Sequence, residues 1–264
     1  MKIGIIGCGN MAQAIIAGLI KNKTFLPDEI IASDKSRDAL ESARNRYGIH
    51  TTLNNSELVL ESETLLVAVK PQVFPSVINE ISELISEQKL IISIVAGYSI
   101  SRMLNLFGKD VKIVRTMPNT PALVGEGMTA MCCGKSITAV EREYAYKILS
   151  SFGKVEIVPE GLMDAVVAVS GSSPAYVAML IEAMADSAVK EGMPRKQAYV
   201  FAEQAVLGTA KLLLETGMHP GELKDMVCSP GRTTIEAVRV LEEKGFRSSI
   251  IEAMTACADI SGKL

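Results

Sequence analysis

Residues 2–12 read Lys2-Ile3-Gly4-Ile5-Ile6-Gly7-Cys8-Gly9-Asn10-Met11-Ala12, an apolar strand running straight into Gly-x-Gly-x-x-Ala. Such a turn opens a dinucleotide-binding βαβ unit: one glycine makes the tight turn, the next lets the backbone approach a pyrophosphate, and Ala12 lets the helix pack closely on the strand. The pyrophosphate then meets the N-terminus of the helix, where free N–H groups and the helix dipole favour an anion. Because the strand begins at residue 3, neither a signal peptide nor a preceding domain is expected.

The remaining strand-like runs extend this unit into an α/β, doubly wound parallel sheet. Residues 3–6, 30–33, 65–69, 91–95 and 112–115 read as strands, several of them apolar throughout, as strands buried on both faces must be. Residues 11–20, 37–46, 73–85 and 101–107 read as the helices between them. Residues 128–133 and 154–158 add two edge strands around a helix near 139–150, so a nucleotide-binding domain is expected over 1–160.

From Leu162 onward the period changes, and long helical patterns fill 161–264. Between Pro174 and Lys190 the only charges are Glu182, Asp186 and Lys190, four residues apart on one face. The next helix repeats the arrangement with Glu203, Lys211 and Glu215. Helices apolar round most of their circumference must be buried on several sides, and a segment of about 100 residues buries only about two-thirds of its unfolded surface alone. These faces are expected to pack against a second chain, the alternative being the core of a monomeric bundle. Two further helices are expected at 233–243 and 248–259.

Composition excludes several classes. The chain has 264 residues, a formal net charge of −3 and no clustered basic stripe, so nucleic acid is not an expected partner. The five cysteines (Cys8, Cys132, Cys133, Cys228, Cys257) form no C-x-x-C pair and fit free thiols in the cytoplasm. Apolar stretches such as 65–69 and 90–96 are strand-sized, so no membrane span is expected. His50 and His219 are the only histidines and belong to no ligand cluster, so no metal site is expected. A histidine acid–base dehydrogenase requires His219 to reach the crevice; otherwise it simply starts the turn His219-Pro220-Gly221.

Candidate binding residues lie in the loops. The second strand ends in Ser33-Asp34-Lys35-Ser36-Arg37, which offers both an acid for the 2′-hydroxyl of NAD and a basic, hydroxyl-bearing cluster for the 2′-phosphate of NADP. The balance leans to NADP, unless Asp34 caps the next helix and the bases are only solvated. Lys70-Pro71-Gln72 follows another strand, placing Lys70 to reach a phosphate or line the ribose. Pro118 and Pro121 bracket Asn119 and Thr120, whose amide and hydroxyl suit a carboxamide or an uncharged substrate group. Gly171 to Ala175 and Ser229-Pro230-Gly231-Arg232-Thr233-Thr234 are helix starts with surplus donors, suited to a carboxylate or simply to capping. From the residues alone, the chain reads as a nucleotide-dependent reductase acting on a small anionic compound.

At these loops the sequence resembles the pyrroline-5-carboxylate reductase family over essentially its whole length: IGIIGCGNMAQAI near the start, AVKPQ at 68–72, RTMPNTPALVGEGMTA at 115–130, GSSPAYVAMLIEAMADSAV at 171–189 and HPGELKDMVCSPGRTTIEAVRVLEEKGFR at 219–247. The resemblance implies a Rossmann-type domain followed by an all-helical dimerisation and substrate domain, a homodimer and larger assemblies of dimers. It implies transfer of hydride from NADPH or NADH to the C=N bond of a cyclic imino acid, 1-pyrroline-5-carboxylate, to give L-proline. Carried over by position, Gly7, Gly9, Asn10, Met11 and Ala12 bind the pyrophosphate. Ser33, Asp34, Lys35 and Ser36 meet the ribose and its 2′-phosphate, and Asn55 lies on the adenosine side. Ala68, Val69, Lys70 and Pro71 line the cofactor, and Met117, Asn119 and Thr120 border the nicotinamide. Ser229, Gly231, Arg232, Thr233 and Thr234 resemble the substrate-carboxylate loop, with Thr234 the catalytic candidate beside the substrate nitrogen; the family builds this pocket between subunits.

One residue departs from the family's Ser-Pro-Gly-Gly-Thr-Thr loop, where this chain has Arg232. If the position demanded positive φ, arginine would cost about 1 kcal/mol or more and distort the loop. Otherwise its guanidinium turns outward or pairs with a carboxylate or phosphate. The alternatives are a related imine or β-hydroxyacid dehydrogenase, or a non-catalytic NAD(P)-binding regulator, which only Arg232 favours.

Overall fold

The computed structural model describes residues 2–263. They divide into two compact units: the first runs to Ser172 and resumes at Cys257, and the second spans Ser173–Ala256.

The first unit is built on an eight-stranded sheet of order β3-β2-β1-β4-β5-β6-β7-β8. The strands are β1 (Ile3–Ile6), β2 (Ile30–Ser33), β3 (His50–Thr52), β4 (Thr64–Val67), β5 (Leu90–Ser93), β6 (Lys112–Met117), β7 (Gly127–Cys133) and β8 (Gly153–Ile157). The first six are parallel and wind outward in both directions from β1, bearing out the doubly wound expectation. Helices α1 (Asn10–Lys21), α2 (Arg37–Tyr47), α3 (Asn55–Glu61), α4 (Phe74–Ile81), α5 (Ile100–Phe107) and α6 (Ala139–Leu149) supply the connections. Side chains alternate across the sheet into two apolar cores. Ile3, Ile5, Leu66, Ile92 and Val114 join α1 and α6 in one, while Ile6, Leu65, Val67, Ile91 and Ile113 join α3, α4 and α5 in the other. A strand that feeds both cores has no polar face, which is why these strands read as unbroken apolar runs.

Two details differ from the sequence reading. β3 and α3 are additional; β3 is a three-residue, half-exposed edge strand, too short to show a period. β7 runs antiparallel to β6 and lies inside β8, so of the two strands expected as edges here only β8 is one. The link from Met117 to Gly127 is shorter than the dozen or so residues a parallel crossover needs, so the chain must turn back.

After β8 the chain continues as α7 (Met163–Val166), then one turn of π-helix at Val167–Gly171. The second unit contains α8 (Ser173–Lys190), α9 (Arg195–Thr216), α10 (Pro220–Val227), α11 (Thr233–Glu243) and the start of α12 (Phe246–Ser261). Its buried apolar residues are few: Ala185 on α8, Ala198 and Ala202 on α9, Leu223 on α10 and none on α11. Met179 is 68% exposed, Phe201 61% and Leu214 67%. The run Glu160–Lys190 has the length and apolarity to cross a membrane, unlike the strand-sized stretches at 65–69 and 90–96 from which no span is expected. Its apolarity comes from small and aliphatic residues on several faces of the helix, the pattern noted between Pro174 and Lys190.

Candidate functional site

The C-terminal ends of β1, β2 and β4 open into a cleft of about 270 Å3. It brings together Gly7, Gly9, Ser33, Asp34, Lys35, Asn55, Ala68, Val69 and Lys70, nine of the residues singled out from the sequence. Ile6, Val73 and Val77 complete its wall. Val73 and Val77 are separated by one helical turn at the start of α4, a spacing that could have marked them as neighbours.

Local chemistry explains the shape of the cleft floor. Gly7 has φ +98°, and a Cβ there would lie 2.6 Å from the carbonyl oxygen of Ala68, so only glycine fits. Gly9 is different. Its φ of −73° is open to any residue, and nothing lies within 4 Å of the Cβ position. No packing inside the chain calls for glycine there; the open space suits a group that approaches from outside. Behind it α1 begins with no side-chain cap and no acid in its first turn, leaving its N–H groups and positive dipole end toward that space. The donor set fits the pyrophosphate of a dinucleotide.

Asp34 braces the turn with both oxygens. Its Oδ2 accepts from the N–H of Cys8 at 2.7 Å and its Oδ1 from the N–H of Ser36 at 2.9 Å, tying the glycine turn to the end of β2. It does not cap α2; Ser36 does, by accepting from Ala39 N–H. Neither Lys35 nor Arg37 pairs with an acid among the described residues. Ser33 is wholly buried, and its hydroxyl donates to Asn55 Oδ1 at 2.7 Å, so it supports the wall from behind. Cys8 is buried against Ala39, and that burial, with the neighbouring Asp34 charge, pushes its thiol up to about 11. Burial also raises the Cys132 and Cys133 thiols. These are not nucleophiles at neutral pH.

The other expected cofactor residues lie outside the cleft lining. Asn10 is exposed and Met11 half-buried at the start of α1, while Ala12 packs in the core. Pro71 follows Lys70, and its carbonyl accepts from Tyr98 OH at 3.3 Å. Met117 is buried with Ala130 and Met163. Thr120 is exposed at the start of a 3-10 turn. Asn119 is buried, and its amide is already engaged: Oδ1 accepts from Met128 N–H at 2.8 Å, and Nδ2 donates to the carbonyl and hydroxyl oxygens of Ser170 in the π-turn. Its geometry makes it a strut between the β6 loop and that turn. π-turns recur at functional sites, but the sequence carried no sign of this one.

In the helical unit, Ser229-Pro230-Gly231-Arg232 forms a turn closed by Arg232 N–H donating to the Ser229 carbonyl at 3.2 Å. Proline second and a glycine of φ +66° third are the requirements of a type II turn. Arg232 has φ −106°, an extended conformation that arginine adopts without strain. Arg232 therefore strains nothing, its side chain is exposed, and it serves as N-cap of α11 with no side-chain cap bond. The first N–H groups of α11 are left open beside Ser229, Thr233 and the half-buried Thr234. Thr234 also lines an apolar groove of about 660 Å3 with Gly208, Leu212 and Val238. His219 caps α10, its Nδ1 accepting from Gly221 N–H at 3.1 Å, which matches the turn-starting role rather than acid–base work. No group of three or more potential metal ligands occurs among the described residues.

Comparison with known proteins adds an independent line. Residues 160–264 match the family model for pyrroline-5-carboxylate reductase dimerisation, and residues 2–97 match that for NADP oxidoreductase, coenzyme F420-dependent. The chain is 50% identical to a pyrroline-5-carboxylate reductase of Escherichia coli K12, over all of this chain and 98% of the relative. Its structure is similar to a pyrroline-5-carboxylate reductase from Coxiella burnetii, with TM-score 0.92, 34% identity and coverage of 99% and 97% of the two chains. It is also similar to the Plasmodium falciparum pyrroline carboxylate reductase solved with NADP bound, with TM-score 0.91, 30% identity and coverage of 100% and 97%.

Proposed function

The chain belongs to the pyrroline-5-carboxylate reductase family, and from that premise we propose how its residues divide the work of the reaction. The reaction is NAD(P)H-dependent reduction of 1-pyrroline-5-carboxylate to L-proline. When bound, the reduced nicotinamide supplies hydride to the imine carbon.

Residues 1–160 hold the nucleotide. Gly7 and Gly9, with the N–H groups of Asn10, Met11 and Ala12, receive the pyrophosphate; Lys35 and Ser36 receive the ribose and its 2′-phosphate, with Asp34 fixing their loop. Asn55 lies on the adenosine side over Ser33, and Ala68, Val69, Lys70 and Pro71 line the cofactor. Met117, Asn119 and Thr120 border the nicotinamide, Asn119 by holding the π-turn in place. Gly9 carries this reading: a glycine with no internal reason to be one, at an uncapped helix start.

Residues 161–264 supply dimerisation and the substrate loop. The open N–H groups of α11 with Ser229, Gly231 and Thr233 hold the substrate carboxylate. Arg232 adds a positive charge beside them, and Thr234 orients the ring nitrogen or relays a proton to it. No charged catalyst is needed, because a cyclic imine protonates readily and positioning supplies much of the rate. Exposed apolar side chains along α8 and α9 support a homodimer, from which larger assemblies can be built. The same covering by a second chain accounts for the apolar Glu160–Lys190 run without a membrane. The five free cysteines support a cytoplasmic location, and the scattered basic residues support no nucleic-acid role.

The test is oxidation of NADPH and of NADH with 1-pyrroline-5-carboxylate, side by side, for the wild type and Thr234→Ala. Proline formation with both nucleotides is expected, and Thr234→Ala should lower turnover by about tenfold or more while sparing nucleotide binding. Unchanged turnover would remove Thr234 from the chemistry.

A further inference from the structure

Ser33, Asn55 and Glu80 form a chain of polar side chains along the cleft wall. Ser33 Oγ donates to Asn55 Oδ1 at 2.7 Å, and Asn55 Nδ2 donates to Glu80 Oε2 at 2.9 Å. Only one polarity satisfies all three. A carboxylate accepts and cannot donate, so Asn55 must turn its amide nitrogen to Glu80, leaving its carbonyl oxygen to Ser33, whose hydroxyl must then donate. Glu80 lies exposed on α4, outside the cleft lining, yet it decides which way round the Asn55 amide stands. Of the three, Asn55 is the half-exposed member that faces the cleft; Ser33 is wholly buried beneath it.

The charges around this point are unbalanced in a telling way. Asp34 already accepts from two backbone N–H groups, whereas Lys35 and Lys70 line the cleft and Arg37 begins α2 next to it. The bases favour a 2′-phosphate; Glu80 is the acid set against them through Asn55. Resting on the nucleotide reading above, we propose that Glu80 is a positioning and specificity residue. It orients Asn55, and its negative charge at the ribose end of the cleft opposes the 2′-phosphate, so that NADH competes better with NADPH than the basic residues alone would allow.

The test is equilibrium binding of NADPH and of NADH to the full-length protein, read by nicotinamide fluorescence at low and high salt, for wild type, Glu80→Gln and Glu80→Ala. Glutamine keeps an acceptor for Asn55 and removes the charge. Glu80→Gln is expected to tighten NADPH about three- to tenfold, change NADH less than about twofold, and lose most of that gain at high salt. Glu80→Ala, which also frees the Asn55 amide, is expected to bind both nucleotides more weakly than the glutamine form. Because Glu80 is exposed, neither substitution should disturb folding, which circular dichroism checks. An unchanged NADPH-to-NADH ratio in the glutamine form, or equal shifts for both nucleotides, overturns the proposal. Failure of the wild type to bind either nucleotide overturns the nucleotide reading itself, a separate and recognisable result.

Discussion

Two helices in this chain start on glycine turns without a side-chain cap, α1 after Gly7 and Gly9 and α11 after Gly231, and they are held in opposite ways. The first turn is built into a core: Gly7 is wedged against Ala68, Cys8 N–H is pinned by Asp34, and α1 buries Ala12, Ala14, Ile15, Ile16 and Leu19. The second stands free. Nothing lies within 4 Å of a Cβ at Gly231, and α11 buries no residue at all. Both present open N–H groups suited to an anion, but only the first is held in shape by its own unit. The glycine turn at Gly7 keeps its shape within its own unit, whereas the turn at Gly231 has no such packing around it.

The largest expected effect comes from breaking the helical side of this comparison. Met179→Glu combined with Phe201→Glu alters two exposed residues, so it should cost a lone chain almost nothing. If a second chain covers them, burying each is worth about 1.5–3 kcal/mol, and the double variant should sediment as a monomer and lose proline formation. A variant that stays dimeric and active would place the interface elsewhere. Next in size is a contrast inside the nucleotide turn. Gly7→Ala meets both a positive φ and a carbonyl at 2.6 Å and should lower stability in urea by about 3 kcal/mol. Gly9→Ala, at an unstrained position with open space around the added Cβ, should cost only about 1 kcal/mol for the poorer helix start, while nucleotide affinity falls by about tenfold. Equal effects of the two on stability would dissolve the distinction between a turn glycine and a ligand glycine. The smallest effect is expected at Arg232→Gly. With φ −106° there is no strain to relieve, so stability should change by no more than about 0.5 kcal/mol, and a large gain in turnover would contradict the geometry.

Much of the nucleotide half was legible because its signals are local. Gly7-x-Gly9-x-x-Ala12 follows a strand and opens a helix, and the apolar runs of β1, β4 and β5 announce burial on both faces. The cleft accordingly contains nine of the residues expected there. What stayed hidden were pairings between distant segments. Asn119 reads as a free amide in a proline-bracketed loop, yet Ser170, 51 residues on, claims it. Asp34 reads as a ribose acid or a helix cap, and its bond to Cys8 N–H, 26 residues away, shows in neither reading. Glu80 carries no motif at all, and its contact with Asn55 arises only when α3 and α4 pack together.

By itself, then, the sequence determined the period of each element, the places where glycine and proline shape the turns, and the apolar helices that call for a partner, because these depend on neighbours within a turn or two along the chain. Only the tertiary structure decided which polar groups remain free. Arg232 shows the division most plainly. Its presence in an unusual loop position is a fact of sequence, but whether it strains the backbone depends on the one dihedral that folding assigns, and folding gives the positive φ to Gly231 instead.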